Sequence, residues 1–201
     1  IYSPMTFRLI SSYPLRITPL KGMRPTRDIL YASGEVTSGD TLHIFVVHAP
    51  SRFSGKRATI PYRMAVMKRL MQSIDSIQAI STNPKIIISG DFNDESKDKS
   101  IQYLVDCGLT EISSEANGTN GAKGTYKYQG IWSSIDHILI SKSMLPLYRG
   151  CLLNDQPFLL EQDERYGDKK PLRTYQGYKY LGGFSDHLPL VAWFQLTPKD
   201  I

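Results

Sequence analysis

Four short segments place carboxylate, amide or imidazole side chains directly after a run of apolar residues. The apolar runs are predicted to form β-strands, so these side chains follow the points at which strands end. Ligands in α/β folds bind beyond the carboxyl ends of strands, and we therefore expect the four segments to meet in one crevice. The segments are residues 48–51 (HAPS), 90–93 (GDFN), 134–137 (SIDH) and 185–187 (SDH).

The segment GDFN indicates a divalent-metal site. Asp91 and Asn93 are two residues apart, so their side chains project from the same side of an extended backbone. Hard cations such as Mg²⁺ bind carboxylate and carbonyl oxygens and usually keep several waters that a substrate can replace. On its own, a Gly-Asp-x-Asn sequence more often forms an Asx turn that ends a strand. The other three segments favour the metal site over this simple turn.

A catalytic base is indicated by Asp186 and His187, which follow the flexible pair Gly182-Gly183. When a carboxylate holds one ring nitrogen of a histidine, the tautomer is fixed and the basicity rises. Asp136, at the start of its own predicted strand, is the candidate for that carboxylate. A nucleophilic water, His187 and Asp136 would then resemble a hydrolytic triad. An isolated Asp-His pair, by contrast, is commonly a solvated turn.

His48 and the polar loop after it are suited to a phosphate group. A histidine at a strand exit can bind or protonate a phosphate oxygen, and basic side chains supply charge where it accumulates in the transition state. The predicted substrate-binding residues are Ser51, Arg52 and Arg57. A structural histidine followed by a solvated basic loop explains the same residues equally well.

The elements that must position these groups alternate between strands and helices, which favours an α/β fold with a mixed sheet. His137 is adjacent to Asp136 on a strand and must point to the opposite face, so we expect it, like His43, to be a packing residue. Residues 155–183 form a long segment, and such segments are often functional. We predict strands at residues 28–36, 41–47, 85–89, 135–140 and 188–194, and helices at residues 61–80 and 98–107.

Composition limits the class of protein. Apolar residues make up 41% of the chain and charged residues 21%, which is typical of a globular domain. No apolar run approaches the ~20 residues that span a bilayer, so no transmembrane segment is expected. The net charge of +5 mildly favours polyanionic partners such as nucleic acid. The first residues, Ile1 to Pro4, include neither an initiator Met nor the start of a signal segment, so we expect the chain to begin within a longer protein.

Read together and in order, the segments resemble the motifs of the endonuclease/exonuclease/phosphatase family. IIISGDFN is similar to its G-D-F-N strand end, SSIDHILIS to its I-D-x-I/L strand, and GGFSDHLPL to its S-D-H-x-P signature. HAPSR is similar to the histidine segment of the pancreatic-type deoxyribonuclease branch. The match extends over almost the entire chain, from the predicted hairpin to the last predicted strand.

The resemblance implies a two-sheet, four-layer α/β sandwich of the deoxyribonuclease-like type, with its site at one rim. It also implies one or two Mg²⁺ or Mn²⁺ ions and in-line attack of water on a phosphoester. In that family, Asp91 and Asn93 would orient the nucleophile and bind phosphate or metal, and Asp186 would bind or orient the metal.

The same resemblance assigns the remaining roles. His187 would take the proton from water while Asp136 holds it, and His48 would contact the phosphate. Thr125, Tyr126 and Trp132 lie in a stretch where family members often place side chains that meet the substrate, although ordinary packing is favoured for Trp132.

One family feature is absent from the sequence. The family has an Asn and then a metal-binding Glu on strands that precede the histidine segment. Only Glu35 precedes His48 here, and it lies in the predicted hairpin, so we do not assign it as that ligand. We therefore expect a single domain, residues 1–201, that is the C-terminal portion of the fold without its first strands. Missing strands would expose sheet edges and weaken metal binding.

The leading hypothesis is a divalent-metal-dependent phosphodiesterase or nuclease that is active in its complete form, with nucleic acid as the first expected substrate. A phosphatase or a lipid-headgroup phosphodiesterase would share the chemistry, because loops such as residues 155–183 set the choice of substrate. A third hypothesis is a non-catalytic fragment or binding module, because the expected Asn and Glu are lacking.

Overall fold

Strands predominate in the structure, a computed structural model that describes residues 1–53 and 55–196. Within these residues the α-helices are α1 (Lys56–Gln78) and α2 (Lys99–Asp106). Short 3₁₀ helices span Lys142–Leu147 and Pro157–Leu159. The strands are β1 (Phe7–Leu15), β2 (Ile29–Val36), β3 (Thr41–His48), β4 (Lys85–Asp91), β5 (Thr110–Glu111), β6 (Tyr126–Tyr128), β7 (Ile131–Ser133), β8 (Asp136–Ile140), β9 (Tyr148–Leu153), β10 (Leu160–Gln162), β11 (Lys169–Pro171), β12 (Tyr175–Gln176), β13 (Lys179–Tyr180) and β14 (Leu190–Phe194).

Six of these strands form one mixed sheet in the order β1-β2-β3-β4-β8-β5. Strands β3 and β4 are parallel, and the other neighbouring pairs are antiparallel. The register places His48 beside Asp91, and Asp91 beside Asp136. His48 and Asp91 lie at one edge because parallel strands end at the same edge of a sheet. Asp136 joins their row because β8 is antiparallel to β4 and begins at that edge. The prediction that residues 134–137 follow a strand was therefore wrong, because they lie at the start of β8.

Helix α1 covers one face of this sheet. Its apolar side chains recur at helical spacing and pack against buried side chains of the central strands. The strand residues are β-branched and aromatic types that alternate in burial along each strand. This core contains, among others, Phe45, Val47, Ile86, Ile88 and Leu139 from the sheet, with Val66, Met67, Leu70 and Ile74 from the helix.

Strands β9 and β14 pair into a second, two-stranded sheet that packs on the other face. Ile138 and Ile140 of β8 contact Ala192 and Phe194 of β14 in a separate apolar cluster. The sheet-on-sheet contact gives the α/β architecture that the sequence predicts, with helices, main sheet and second sheet as successive layers.

The predicted hairpin is β2 and β3, and both predicted helices are present, but the start of α1 was predicted wrongly. The helix begins at Lys56 and contains Pro61, rather than beginning there. The side-chain hydroxyl of Thr59 donates to the carbonyl of Gly55, and Arg63 donates to the carbonyl of Lys56. These bonds hold the first turn, whereas Pro61 lies in the second turn and its missing N–H leaves the carbonyl of Arg57 without its helical partner.

Two regions differ from a simple reading of the sequence. Strand β1 was not predicted; it forms an edge of the main sheet and contains Pro14, which a central strand would exclude. The segment at residues 155–183 is not a structureless loop, since it contains the antiparallel hairpins β10–β11 and β12–β13.

Across the described residues, no helix has the length and apolar character needed to cross a bilayer.

Candidate active site

The row at the sheet edge brings a histidine and two aspartates together. His48 Nε2 lies 3.5 Å from Asp91 Oδ2, and Asp136 is the next partner along the row. The close approach of β3 and β4 depends on Gly90, whose φ is +143°. A Cβ atom there would lie 1.9 Å from the carbonyl oxygen of Val47, so no larger residue fits.

His187 is held by Asp136 from the neighbouring segment. Its Nδ1 donates to Asp136 Oδ2 over 2.7 Å, which leaves Nε2 as the ring nitrogen available to a ligand. Burial alone would lower the pKa of His187. The hydrogen bond to Asp136 and the charges of Asp136, Asp91 and Asp186 outweigh burial, and the pKa of His187 is raised above its ordinary value.

Thr125 fixes this pair from beneath. Its buried hydroxyl oxygen accepts from the backbone N–H of Ile135 (3.2 Å) and of Asp136 (3.3 Å). Its carbonyl accepts from the N–H of Leu188 at 2.7 Å, and Tyr126 forms a β-bridge with His187. One residue thus aligns the two chain segments that carry the hydrogen-bonded pair.

Asp91 and Asn93 form an Asx turn and also face the cleft. The Asn93 N–H donates to Asp91 Oδ1 (2.8 Å), and the Asn93 side-chain amide donates to Asp91 Oδ2 (3.1 Å) and to the carbonyl of Ala49 (3.0 Å). Asn93 has a φ of 53°, a left-handed conformation that Asn tolerates. Both amide hydrogens are used, so Oδ1 is the atom that can bind a ligand.

The surroundings of Asp91 disfavour the negative charge of its carboxylate. Burial raises the pKa of Asp91 and the nearby charge of Asp136 raises it further, against the opposing effects of the Asn93 N–H and the two histidines. A cation beside Asp91 would relieve this repulsion. The oxygen donors nearby are therefore chemically suited to a divalent metal.

The described residues hold no group of three or more His, Cys, Asp or Glu side chains spaced as a metal cage. Magnesium does not require one, because it is usually bound by one or two carboxylates, waters and substrate phosphates. The donor set thus fits a metal that is shared with substrate, and does not fit a closed structural site such as that of zinc.

A cleft of about 1000 Å³ is lined by His48, Asp91, Asn93, Asp136 and His187 together. Ser51 and Arg52 line it, whereas Arg57 lies on the exposed surface of α1 and is not among its lining residues in the described chain. Arg52 Nε donates to the carbonyl of Asn93 over 2.5 Å, so this guanidinium also holds the Asx turn. The lining residues are His48, Ser51, Arg52, Phe53, Asp91, Asn93, Tyr126, Tyr128, Gln129, Ile131, Ser133, Ile135, Asp136, Ser185, Asp186 and His187.

The six residues predicted for catalysis and metal binding therefore share one cleft. A comparison with protein families shows to which family the chain belongs. A model described as the endonuclease/exonuclease/phosphatase family matches residues 1–196. The chain belongs to this family. A comparison with curated proteins found no match.

Solved structures of this family have the same fold. The chain is similar to the mannosyl-6-phosphatase of Bacteroides thetaiotaomicron, with 19% identity, a TM-score of 0.65, and coverage of 96% of this chain and 68% of that one. It is also similar to the human Nocturnin catalytic domain with bound sulfate (19%, 0.59, covering 96% and 61%). A third is truncated Caenorhabditis elegans TDP2 (20%, 0.61, covering 94% and 67%). These likenesses confirm the fold class that the sequence predicts.

Behind the family's GDFN segment lies a buried network that the sequence did not reveal. Asp94 accepts from Arg63 Nε and from the Ser100 hydroxyl, both over 2.7 Å. His137 is buried, with Nδ1 2.7 Å from Glu111 Oε1 and Nε2 2.7 Å from the carbonyl of Asp94. His137 faces away from the cleft, as its place beside Asp136 predicts, but it holds the turn through hydrogen bonds.

We expect this network to make stability depend on pH. Burial would raise the pKa of Glu111, but hydrogen bonds and charge from His137, with the hydroxyls of Ser96 and Ser113, lower it. Because the folded pKa lies below the unfolded value of about 4.3, Glu111 stabilises the fold above that pH and the stability is lost as pH falls through the folded pKa. Urea unfolding of the wild type and of Glu111→Gln between neutral and acid pH measures this.

The variant should show the smaller fall in unfolding free energy on acidification, because Gln does not titrate. Glu115→Gln supplies a control on a nearby loop, and we expect it to follow the wild type. Parallel curves for the wild type and Glu111→Gln would contradict the assignment.

Proposed function

We propose that this family member is a divalent-metal-dependent phosphodiesterase or nuclease that uses water activated by His187. The observation that supports this most directly is the alignment of His48, Asp91 and Asp136 in one row, with His187 hydrogen-bonded to Asp136. A base, a carboxylate that orients it, and oxygen donors for a cation meet in one open cleft.

In the proposed reaction, water attacks phosphorus in line with the leaving oxygen. His187 Nε2 accepts the proton of that water, and the Asp136 carboxylate stabilises the imidazolium that results. The new P–O bond forms as the bond to the leaving oxygen breaks, and solvent supplies the proton that this oxygen takes up. His48 donates a hydrogen bond to a phosphate oxygen. Burial lowers its pKa, as do the charges of Arg27 and His187, against the opposing charges of Asp91 and Asp136.

A divalent metal completes the proposal. Asp91, Asn93 and Asp186 are the residues that would hold Mg²⁺ or Mn²⁺, and all three line the cleft. The metal would neutralise charge that develops on the phosphate. The hydrogen bonds between Asp91 and Asn93 hold both side chains in the orientation in which they would position the phosphate beside His48 and Asp136.

We expect Asp91→Ala to lower kcat/KM for a phosphodiester by at least about 10- to 100-fold, because it removes a proposed ligand and the partner of Asn93. The assay uses bis-(p-nitrophenyl) phosphate with added Mg²⁺ or Mn²⁺, and with EDTA in place of the metal. Activity should vanish in EDTA and return on adding metal.

Asp106→Ala is the matched control, because Asp106 is an exposed aspartate at the end of α2. It should retain wild-type kcat/KM. Equal activity in EDTA, or an Asp91→Ala variant as active as the control, would contradict the proposal.

The same centre would also serve a phosphatase or a lipid-headgroup phosphodiesterase. A panel containing single- and double-stranded nucleic acid, a sugar phosphate, an inositol phosphate and sphingomyelin separates these substrates. We expect nucleic acid to be cleaved fastest, and cleavage of a small phosphomonoester alone would favour the phosphatase.

A further inference from the structure

A basic loop lies beside the His48 end of the cleft. Residues 16–28, here called the basic loop, join β1 to β2, and Leu30 near the start of β2 pairs with Val46 near the end of β3. The loop therefore emerges at the sheet edge that carries the site. Arg27 is close enough to His48 for its charge to lower the pKa of that histidine, after the larger effect of burial.

The basic loop is anchored rather than loose. Ile17 and Met23 are buried in the main core, and the Ile17 N–H donates to Asp28 Oδ1 over 3.1 Å. Three cations lie between Ile17 and Asp28, and all three are exposed: Lys21, Arg24 and Arg27. The ion pairs of the described residues involve none of these three cations. They are placed to meet an anion from outside the chain.

An aromatic row extends from the other end of the cleft. The rings of Tyr126 and Tyr128, here called the tyrosine row, are nearly parallel (7°) with centroids 6.5 Å apart. The Tyr126 ring lies 4.8 Å from the ring of His187, so the row begins at the proposed base and runs outward. Tyr128 is 60% exposed and lines the cleft, as does Ile131, which is 71% exposed.

The fold holds the tyrosine row in this exposed position. Gln129 (φ 49°) and Gly130 (φ 82°) form a two-residue turn with both residues in the left-handed region, as hairpins of this length require. Between the tyrosines, Lys127 points inward, where Nζ donates to the carbonyl of Gly167 and pairs with Asp163 at 3.1 Å. Tyr128 is therefore the exposed member of the row, whereas Tyr126 is half-buried between His187 and the Arg173 guanidinium, whose Cζ lies 5.5 Å from its ring centroid.

We propose that the cleft binds single-stranded nucleic acid, with backbone phosphates along the basic loop and unpaired bases on the tyrosine row. Proteins that bind single strands combine a basic groove for the backbone with aromatic side chains for the bases. A duplex keeps its base faces stacked inside, so it cannot use the tyrosine row. The inference rests on the proposed function for the position of the cleaved phosphate, between His48 and His187.

The test measures binding in EDTA, so that it does not depend on catalysis. Fluorescence anisotropy compares a labelled oligothymidylate, the same strand with abasic residues, and its duplex. We expect wild-type protein to bind the base-bearing strand most tightly. Tyr128→Ala should weaken that binding by roughly 5- to 100-fold and leave the abasic strand unchanged. Tyr128→Phe should bind like the wild type.

Two further variants separate the parts of the proposal. Arg27→Ala should weaken both single strands alike and reduce the salt dependence of binding. Tyr2→Ala is the control, because Tyr2 is 53% exposed and packs on Phe7, whose partner Val36 lies at the opposite end of the strands. Equal binding of base-bearing and abasic strands, tighter binding of the duplex, or an unaffected Tyr128→Ala variant would overturn the inference.

Failure of the proposed function gives a different result. Base-dependent binding in EDTA combined with undiminished phosphodiester hydrolysis by His187→Ala would reject the catalytic assignment and leave the tyrosine row supported. Loss of hydrolysis in His187→Ala without any base-dependent binding would do the reverse.

Discussion

Replacing His187 by alanine is expected to lower kcat for phosphodiester hydrolysis by roughly 10²- to 10⁴-fold, the usual contribution of a positioned general base. The side chain is fixed by Asp136 at 2.7 Å, and its raised pKa makes it a stronger proton acceptor than a free imidazole. Because the substituted residue acts on the attacking water, KM should change little. Steady-state kinetics with saturating Mg²⁺ measure both constants.

His43→Ala is the matched control for this substitution. His43 lies on β3, is bonded to the Tyr31 hydroxyl at 2.7 Å, and is not among the lining residues of the cleft in the described chain. Its kcat should equal that of the wild type. Asp136→Asn is the second test, because it keeps the shape of the side chain but removes the charge that stabilises the imidazolium. A fall in kcat with an unchanged KM is expected, and a His187→Ala variant with wild-type kcat would refute the assignment.

The sequence was sufficient to find the polar groups of the cleft, for a physical reason. A polar cluster beside an apolar run marks either the end of a strand, as at His48 and Asp91, or its start, as at Asp136. Such points on neighbouring strands are where side chains from distant parts of a chain can meet. What the sequence could not supply was register. The alignment of His48 with Asp91, and of Asp91 with Asp136, follows from strand pairing, which short local patterns do not specify.

The support beneath the cleft was missed because its members look ordinary in sequence. Arg63 lies beside Met64 in the predicted helix, and an apolar residue is ordinarily the one expected in the core, whereas the structure buries Arg63 completely and leaves Met64 half-buried. A signal was present, since Arg63 precedes Met67, Leu70 and Ile74 at intervals of four, three and four residues. A charged residue on an apolar stripe requires a buried partner of opposite charge, and Asp94 directly follows the Asx turn of Asp91 and Asn93.

The tyrosine row was also only partly visible. Thr125, Tyr126 and Trp132 were placed by the family resemblance in a stretch that meets substrate, but the sequence could not show which side chains face the cleft. Tyr126 lines it, whereas Trp132 packs against a buried apolar cluster. The hairpin turn at Gln129 and Gly130 sets this, because it directs Tyr126 and Tyr128 outward and Lys127 inward. The prediction for Arg57 was wrong. Its sequence position near Arg52 suggested a place in the cleft, but it lies on the exposed surface of α1.

We expect Arg63→Met to reduce the free energy of unfolding by about 3–5 kcal/mol, the usual effect of breaking a buried ion pair by removing one partner. Arg63 is fully buried, and its Nε bonds Asp94 Oδ2 while its other nitrogens bond Thr59 and the carbonyl of Lys56. Methionine fills much of the volume but removes the hydrogen-bonded cation of Asp94, which leaves only Arg52, whose Nη2 lies 3.7 Å from Asp94 Oδ1. Urea or guanidinium unfolding followed by circular dichroism measures the change.

Two variants decide whether the lost charge pair is the cause. Arg57→Met makes the same substitution on the exposed side of α1 and should stay within about 0.5 kcal/mol of the wild type. In the Arg63→Met background, Asp94→Asn should recover part of the loss, because a neutral amide costs less to bury than an unpaired carboxylate. Since the Asp94 side chain also accepts from the Ser100 hydroxyl, recovery cannot be complete. An Arg63→Met protein as stable as Arg57→Met would show that the pair does not support the turn on which Asp91 and Asn93 depend.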